Sequence, residues 1–347
     1  MAYTIRDVAK LAKVSPSTVS AVINEKGYVS FDTRNRVNSA IRKLDYTPVR
    51  LARYLATRTS GNVGFIVSES HFNRAEPFYT RVFLGAEIEA RKHDLYVLLT
   101  SISFNGNGNS HQLPRFLQES NVDGVMIAGR VSQKLINAVL DRNVPTVMID
   151  YGNDTHNCSK VLIDNRRGIR MAVRHLLKMG HRKIAFVGGE IDHPSVKDRL
   201  NGFYEGLEEG GIKNKSEWVI FAKGEMSPSK GNSAFKDLWS VDEKPTAIIC
   251  ANDAMASGVI NAAKEQKISI PEDLSIVGFD DVAICTLIDP QLTTIRVNKE
   301  DLGAIAIRTL ADLIHKRFTQ NKIIREGVEF IERQSTSPVK REEEIHC

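Results

Sequence analysis

The sequence predicts a small all-α helix-turn-helix headpiece followed by an α/β domain with two lobes. Apolar residues recur at helical spacing through the first 47 positions, and from residue 63 onward short apolar strands alternate with amphipathic helices. That alternation restarts after a crossover near residues 164–168, which indicates two similar halves. A chain of 347 residues is long enough for a headpiece and a large domain.

The first headpiece helix is predicted to begin after Thr4. Thr4 can cap a helix, and Asp7 follows three residues later, close to the spacing of a capping box. Apolar residues then mark the core face of this helix: Ile5, Val8, Ala9 and Ala12. The short break Lys13-Val14-Ser15 ends it.

The second helix is predicted from Pro16 to Asn24. Ser15 can cap it, and Pro16 suits its first turn because the amide at that position is unpaired in any helix. Its core face carries Val19, Val22 and Ile23, and its outer face carries Ser17, Thr18, Ser20 and Ala21. A third helix, Thr33 to Leu44, closes a three-helix unit. Helical spacing alone also fits a bundle that binds no ligand.

Positive charge is concentrated in the headpiece. Residues 1–60 contain eleven Lys and Arg against four acids, a net charge of +7, which leaves −2 for the rest of a chain whose overall charge is +5. Counterion release from DNA phosphates requires such a basic end, whereas a membrane-surface segment would also show a broad apolar stripe. Nucleic acid is therefore the predicted partner.

Strands after the headpiece are predicted in two groups. The first group is Val63–Val67, Tyr96–Thr100, Gly124–Ile127, Thr146–Ile149 and Val161–Ile163, with helices that begin near Phe78, Gln112 and Gln133. The second group is Lys183–Val187, Val219–Phe221, Ala247–Cys250, Ser275–Gly278 and Thr294–Arg296, and a helix from Arg167 to Lys178 separates the two. Ligands of such sheets bind beyond the carboxyl ends of the strands.

Other classes of protein are poorly supported. No segment resembles a signal peptide or a membrane span, so we expect a cytoplasmic protein. The cysteines, Cys158, Cys250, Cys285 and Cys347, are too scattered for a zinc site or a disulfide framework, and no metal or cofactor is predicted. An enzyme is not expected, because no phosphate loop, His-Glu-x-x-His motif or glycine-flanked serine is present. A solute-binding protein would share the two lobes but would not need a basic headpiece.

Short motifs stand in a fixed order along nearly the whole chain. In the headpiece they are Thr4-Ile5-Arg6-Asp7-Val8-Ala9, Val14-Ser15, Thr18-Val19-Ser20, Val22-Ile23-Asn24, Val29-Ser30 and Tyr46-Thr47-Pro48. In the larger domain they are Gly180-His181-Arg182-Lys183-Ile184-Ala185, Arg199 with Leu200-Asn201-Gly202-Phe203, Ala251-Asn252-Asp253, Ile276-Val277-Gly278-Phe279-Asp280-Asp281, and Pro290 with Leu292-Thr293-Thr294-Ile295. The chain thereby resembles the lactose and galactose repressor (LacI/GalR) family of bacterial transcription regulators.

The resemblance implies a headpiece at residues 1–47, a hinge helix and linker at 48–62, a periplasmic-binding-protein-like (type I) effector-binding and dimerisation domain at 63–339, and a charged tail at 340–347. Lobe 1 is expected at about 63–163 plus 296–325, and lobe 2 at about 164–295 plus 326–339. A helix as short as Val49–Ala56 is marginal in water, so the hinge is expected to order only against DNA or a second copy.

For DNA, the resemblance implies that the second helix enters the major groove of a palindromic operator as part of a dimer. The residues expected to face the bases are Pro16, Ser17, Ser20 and Ala21. Phosphate or supporting contacts are expected from Thr4, Ser15, Thr18, Asn24, Ser30 and Thr33, and a minor-groove wedge from Leu55. Many relatives carry a long polar side chain at the position of Ala21. Since alanine cannot make a bidentate base contact, shape readout and Ser17 are expected to carry more of the specificity.

For the cleft, the resemblance implies a small-molecule effector held by both lobes. The matching residues are Phe78, Tyr79, Asp150, Arg199, Met226, Asn252 and Asp280. Aromatic faces can stack on sugar rings or bases, and the polar groups can bond ring hydroxyls, a set that favours a sugar over a purine. Met226 stands where relatives often place an aromatic residue, which weakens the case for a ring sandwich around the ligand and leaves its class open. A purine, a nucleoside or a corepressor protein is the alternative effector. Phe78 also fits a core position, and Asp281 a structural one.

The implied mechanism is that of a repressor switched by its effector. Closure of the lobes would change the dimer and so permit or forbid ordering of the hinge on DNA. The sequence leaves inducer and corepressor both open. Relatives that form tetramers do so through a C-terminal helix with a leucine-heptad repeat. The charged tail carries no such repeat, so a homodimer is favoured over a tetramer.

Overall fold

The computed structural model describes residues 3–23, 27–46, 59–69, 78–103, 113–152, 156–224, 226–317 and 320–340. The predictions at Asn24, at Leu55 in the hinge segment and at the loop 104–110 lie outside these residues. The chain divides into two units, Met1–Gly61 and Asn62–Cys347. Among the described residues, no helix has the length and apolar character to cross a membrane.

The headpiece consists of α1 (Ile5–Ala12), α2 (Pro16–Ile23) and α3 (Phe31–Lys43). Its core contains Val8, Ala9, Ala12, Val19 and Val22, which the helical spacing selected, together with Val37 and Ala40 of α3, and it is closed by Tyr46. The Asp7 carboxylate accepts hydrogen bonds from the amide and hydroxyl of Thr4, at 2.8 and 2.7 Å, which fixes the start of α1. The three predicted helices are confirmed, and α3 begins two residues earlier than predicted because Ser30 caps it.

The larger unit alternates strands and helices from its first residue. Its first part contains β1 (Asn62–Ser68), α4 (Phe78–Lys92), β2 (Tyr96–Ile102), α5 (Arg115–Gln118), β3 (Gly124–Ala128), α6 (Gln133–Leu140), β4 (Thr146–Ile149) and β5 (Ser159–Ile163). Its second part contains α7 (Asn165–Lys178), β6 (Ile184–Gly188), α8 (Pro194–Glu209), β7 (Val219–Phe221), α9 (Pro228–Leu238), β8 (Ala247–Cys250), α10 (Asp253–Glu265), β9 (Ser275–Val277), α11 (Ile284–Leu287), β10 (Thr294–Val297), α12 (Lys299–Ile314), β11 (Ile323–Glu326) and β12 (Val328–Ile331).

Two parallel sheets define two lobes. The first lobe contains a six-stranded sheet in the order β11-β5-β4-β3-β1-β2, and the second a four-stranded sheet in the order β7-β6-β8-β9. The strands β3, β4, β6 and β8 are buried along their whole length, as parallel strands covered by helices on both faces must be. The prediction of a parallel two-lobed fold is confirmed. Cys158, Cys250 and Cys285 are all buried.

The chain passes between the lobes at several places. It leaves the first sheet after β5, returns along β10 into α12, and crosses again from β11 to β12, where β10 and β12 form an antiparallel pair. The strands β11 and β12 and the helix α12 were not predicted from the sequence. Because the chain crosses more than once, the carboxyl ends of both sheets are held at the same junction.

The helices α4 and α12 pack closely because glycine lies at their crossing. A Cβ atom on Gly85 would lie 2.0 Å from the carbonyl oxygen of Glu300, and one on Gly303 would lie 1.9 Å from that of Val82. Real atoms do not approach so closely, so any side chain at either position would force the helices apart. This contact anchors α12 to the first lobe.

Replacing Gly303 by alanine is expected to destabilise the protein. Overpacking of a well-packed contact costs about 1–3 kcal/mol, because backbone atoms must move. Thermal or urea unfolding of Gly303→Ala should show this loss, whereas Gly327→Ala, where a Cβ would meet nothing within 4 Å, should unfold like the parent protein. Equal stabilities of the two variants would contradict the packing argument.

Candidate functional site

The outer face of α2 presents short polar groups close to its first turn. Pro16 and Ser17 are exposed, whereas Ser20 and Ala21 are half-buried. The Ser15 Oγ accepts a hydrogen bond from the Thr18 amide at 3.1 Å, and the hydroxyls of Ser17 and Thr18 lie 2.6 and 2.8 Å from it. The start of α2 therefore carries a cluster of hydroxyl groups, which suits phosphate contacts.

The beginning of α3 carries a similar arrangement. The Ser30 hydroxyl donates to the Thr33 Oγ1 at 2.9 Å and accepts from the Thr33 amide at 3.4 Å, while the Arg36 guanidinium donates to the Thr33 Oγ1 at 3.3 Å. Thr4 lies at the start of α1, bonded to Asp7. The structure thus places the predicted supporting residues Thr4, Ser15 and Ser30 at the starts of three helices.

In the larger unit, the candidate effector residues follow the carboxyl ends of strands in both sheets. Tyr79 and Phe78 begin α4 after β1, and Asp150 follows β4. In the second lobe, Asn252 follows β8, Asp280 lies after β9, and Arg199 lies on α8 after β6. This junction between two parallel sheets is the cleft.

Arg199 is the most constrained of these residues, because only 3% of its surface is exposed. Its Nε donates to the Asn165 Oδ1 at 2.7 Å, its Nη1 to the Ala251 carbonyl, and its Nη2 to the Asp280 Oδ1 at 3.3 Å. The guanidinium lies over the Phe279 ring, 3.8 Å from the ring centre. The planar fork is thereby fixed in place before any ligand arrives.

Asp150 connects the two lobes. Its Oδ2 accepts a hydrogen bond from the Tyr79 hydroxyl at 2.9 Å, and its Oδ1 accepts one from the Ser195 Oγ of α8 at 3.0 Å. Burial raises the pKa of Asp150 to about 6, although the positive charge of Arg199 acts in the opposite direction. The Asp150 carboxyl group therefore changes its protonation state near pH 6.

A second contact between the lobes lies nearby. The Arg130 guanidinium, after β3, forms an ion pair of 2.5 Å with Glu190, after β6, and Glu190 also accepts from the Gly224 amide at 3.1 Å. The hydrogen bond from Arg130 is the main reason that the pKa of Glu190 is lowered. The rings of Tyr151 and His193 meet edge to face with 5.7 Å between their centres. These contacts join the two lobes across the cleft.

Asn252 and Met226 shape one wall of the cleft. The Asn252 Oδ1 caps α10 by accepting from the Met255 amide at 2.9 Å, and its Nδ2 donates to the Met226 carbonyl at 3.4 Å. The Met226 side chain packs so tightly on Gly189 that a Cβ there would lie 2.4 Å from its Cγ. Asn252 thus holds the segment that carries Met226.

Asp253, which is fully buried, supports the turn that carries Asp280. The Asp253 carboxylate accepts from the Thr294 hydroxyl at 2.6 Å and from the Val282 amide at 3.0 Å. Burial, and then the nearby charge of Asp280, raise the pKa of Asp253 to about 8. Asp281 instead pairs with Arg296 and Arg333.

Sequence reasoning missed several residues of the cleft. Ser195 stands four residues before Arg199, so helical spacing alone places both on one face of α8, and this signal could have found it. Arg130 and Glu190 are sixty residues apart and on different lobes, so no local pattern connects them. Among the described residues, no group of His, Cys, Asp and Glu is arranged to hold a metal ion.

Comparisons with known proteins agree with this architecture. Residues 4–49 match the model of bacterial regulatory proteins of the lacI family, and residues 173–336 match a periplasmic binding protein-like domain. The chain is 32% identical to the HTH-type transcriptional repressor PurR of Aliivibrio salmonicida over 334 aligned residues. The alignment covers 96% of this chain and 98% of the relative.

Solved structures agree as well. The lac repressor dimer bound to operator and the anti-inducer ONPF is 27% identical with a TM-score of 0.79, over 97% of this chain and 100% of that one. The complex of the transcriptional regulator CelR with cellobiose is 27% identical with a TM-score of 0.72, over 96% of this chain and 99% of that one.

A basic helix-turn-helix headpiece joined to a two-lobed binding domain defines a transcription regulator that responds to a small molecule. The chain belongs to the lacI family of bacterial regulatory proteins. The family resemblance drawn from the motifs is therefore confirmed.

The raised pKa of Asp150 predicts a specific pH dependence. Because the folded state binds the proton more tightly than the unfolded chain, the contribution of Asp150 to stability falls as the pH rises from about 4 to about 6. Asp150→Asn removes this pH-dependent loss of stability, because an amide does not titrate. The hydroxyl groups of Tyr79 and Ser195 can rotate to hydrogen-bond the amide. The free energy of unfolding of the variant, relative to the parent, should rise by about 2.5 kcal/mol between pH 4 and pH 7.

The control for this measurement is Asn137→Gln, at an exposed position of α6, which changes no titratable group. Its difference from the parent protein should stay constant over the same pH range. Parallel curves for Asp150→Asn and the parent would show that Asp150 does not titrate as its burial requires.

Proposed function

We propose that this protein is a sequence-specific DNA-binding transcription repressor whose operator affinity is switched by a small molecule bound between its lobes. The observation that carries the proposal is the buried Arg199 fork, held at the cleft with Asp280 on one side and Asp150 on the other. Such a set of hydrogen-bonding groups at the carboxyl ends of two sheets is suited to recognising a polar ligand. The headpiece supplies the positive charge that DNA binding requires.

The proposed effector is a sugar or sugar derivative. Its hydroxyl groups can both donate and accept, and the cleft offers a guanidinium, two carboxyl groups and the hydroxyls of Tyr79 and Ser195. The half-buried Phe78 ring, in edge contact with Tyr79, provides an apolar face. The relative CelR, solved with cellobiose, supports this choice.

A purine or nucleoside is the second candidate effector. The 32% identity to the repressor PurR favours it, and Phe78 could stack on a base as well as on a sugar ring. By the family resemblance, Met226 stands where relatives often carry an aromatic residue, so the second face of a ring sandwich around a base would be missing, which weighs against a purine. A panel that contains both classes separates the two candidates.

On DNA, we propose that α2 lies in the major groove with Pro16, Ser17, Ser20 and Ala21 towards the bases. The proposed phosphate and supporting contacts come from Thr4, Ser15, Thr18, Asn24, Ser30 and Thr33, and the proposed minor-groove wedge is Leu55. The hydroxyl groups at the helix starts support the proposed phosphate contacts, because they can bond phosphates without a long side chain.

We propose a homodimer formed through the outer surface of the first lobe. Leu84 and Ile88, one helical turn apart on α4, are each 48% exposed, and Leu99 of the edge strand β2 is 43% exposed. Leu99 lies on the sheet face that α4 covers, so the three side chains form one apolar surface. The occupant is a second copy of this chain, as supported by the similar lac repressor dimer.

Replacing Leu84 by glutamate is expected to separate the dimer, because a charge would be buried without a partner. Sedimentation of Leu84→Glu should show a monomer of 38.7 kDa, the mass of one chain. Ile323→Glu is the control and should remain a dimer, because Ile323 is 55% exposed at the opposite edge of the same sheet. A dimeric Leu84→Glu protein would place the interface elsewhere.

The proposed mechanism is differential affinity of the ligand for two arrangements of the lobes. A ligand between Arg199 and Asp150 favours the closed arrangement, which the contacts Asp150–Ser195 and Arg130–Glu190 already stabilise. A coupling of about 1–3 kcal/mol between cleft and operator is enough to change DNA occupancy. Induction and corepression are both compatible with this scheme.

Substitutions of Arg199 test the proposed function. Operator DNA is selected from a random pool with the parent protein, and ligands are found by thermal shift with sugars, phosphosugars and nucleobases. Arg199→Lys keeps the charge but loses the fork, and Arg199→Ala loses both. Both variants should bind the operator as the parent does, but the change in operator affinity caused by the ligand should be lost.

The matched control is Arg170→Lys on α7, whose guanidinium pairs with Glu205 and Glu209. It should keep the full ligand response. Loss of operator binding in Arg199→Lys, or an unchanged response in Arg199→Ala, would contradict the division between headpiece and cleft.

A further inference from the structure

The turn that carries Asp280 has an unfavourable backbone conformation. Asp280 and the following Asp281 have φ angles of +107° and +51°, although neither is glycine. Residues with a Cβ atom seldom adopt such angles, and two in succession persist only where neighbouring groups hold them. The carboxylate of Asp280 reaches Arg199 from this turn, so whatever holds the turn also sets the geometry of the cleft.

Lys299, at the start of a helix that packs on the first lobe, contacts the main chain of this turn. It is the first residue of α12, and only 3% of its surface is exposed. Its ammonium group donates to the carbonyl of Asp280 at 2.5 Å, to that of Asp281 at 3.3 Å and to that of Val297 at 3.2 Å. The ammonium also lies 5.7 Å from the centre of the Phe78 ring, at the start of α4.

Stabilisation of its own helix does not explain this lysine. A positive charge in the first turn opposes the helix dipole, and burial of an ammonium group is costly unless its hydrogens are bonded. Here all three acceptors are backbone carbonyls, two of them in the unfavourable turn. The side chain of Asp281 is bound by Arg296 and Arg333, each at 2.7 Å. Lys299 therefore acts on the main chain of the turn.

We propose that Lys299 is a positioning residue of the effector cleft. It holds the turn 280–281 so that the Asp280 carboxylate faces Arg199, and it ties this second-lobe turn to helices α12 and α4 of the first lobe. A movement of one lobe against the other thus changes the support of a ligand-binding carboxylate. The regulatory consequence rests on the proposed function, whereas the role of Lys299 in holding the turn does not.

Hydrogen exchange of the full chain without ligand tests the role directly. Two amides report on the turn, that of Asp280, bonded to the Ile295 carbonyl at 2.8 Å, and that of Val282, bonded to Asp253 at 3.0 Å. In Lys299→Met, which keeps the apolar stem, these amides should exchange about tenfold faster, because hydrogen bonds to a charged donor are lost. The amides of β6, elsewhere in the second lobe, should keep the protection seen in the parent protein.

The matched control is Lys236→Met, at an exposed position of α9, which should leave both amides unchanged. Lys299→Arg, which keeps a cationic donor, is expected to retain most of the protection. If Lys299→Met does not fold, Lys299→Gln takes its place. The amides of Asp280 and Val282 should then exchange faster than in the parent protein, but by less than the increase expected for Lys299→Met.

Unchanged exchange at Asp280 and Val282 in Lys299→Met would overturn the proposal. So would a uniform increase throughout the second lobe, which would show a general loss of stability. Equal losses in the Met and Arg variants would mean that packing of the stem, and not hydrogen bonding, holds the turn. None of these outcomes depends on an effector, so failure here is distinct from failure of the proposed function, which the Arg199 variants detect.

Discussion

Burial of the Arg199 guanidinium is the constraint on which the cleft depends. A buried charge is tolerated only when its donors are satisfied, and here Asn165, the Ala251 carbonyl and Asp280 satisfy them. These partners come from the start of α7, the end of β8 and the turn after β9. Elements far apart in the sequence must therefore meet around one side chain, which explains why the second lobe presents an ordered polar surface to the first.

The lobes are connected by contacts that depend on their relative position. The bond from Ser195 to Asp150 and the ion pair of Arg130 with Glu190 each join residues of different lobes. The glycine contact between α4 and α12, by contrast, is a tight backbone contact within the first lobe. In the proposed mechanism, a ligand that binds here acts by its different affinity for different arrangements of these contacts.

Much of the fold could be predicted because it rests on local patterns. Apolar runs marked the central strands, and Ser15 and Pro16 marked the start of α2. By contrast, β11 and β12 are short and partly charged, with Glu326 and Glu329 in them, and they become strands only through pairing with β5 and β10. The family motifs selected Arg199, Asp280 and Asp150 as candidates. The partners Arg130 and Glu190, and the buried Lys299, follow from tertiary contacts that no spacing in the sequence encodes.

The proposed role of the Arg199 fork is to bind the effector. The most direct test is a crystal structure of the full chain with the compound that most increases its thermal stability. If the Arg199 fork binds the effector, ligand oxygen or nitrogen atoms will lie within hydrogen-bonding distance of the Arg199 Nη2 and of the Asp280 carboxylate, with the lobes closed over them. A ligand bound outside the cleft, with Arg199 still paired to Asp280 as in the free protein, would contradict it.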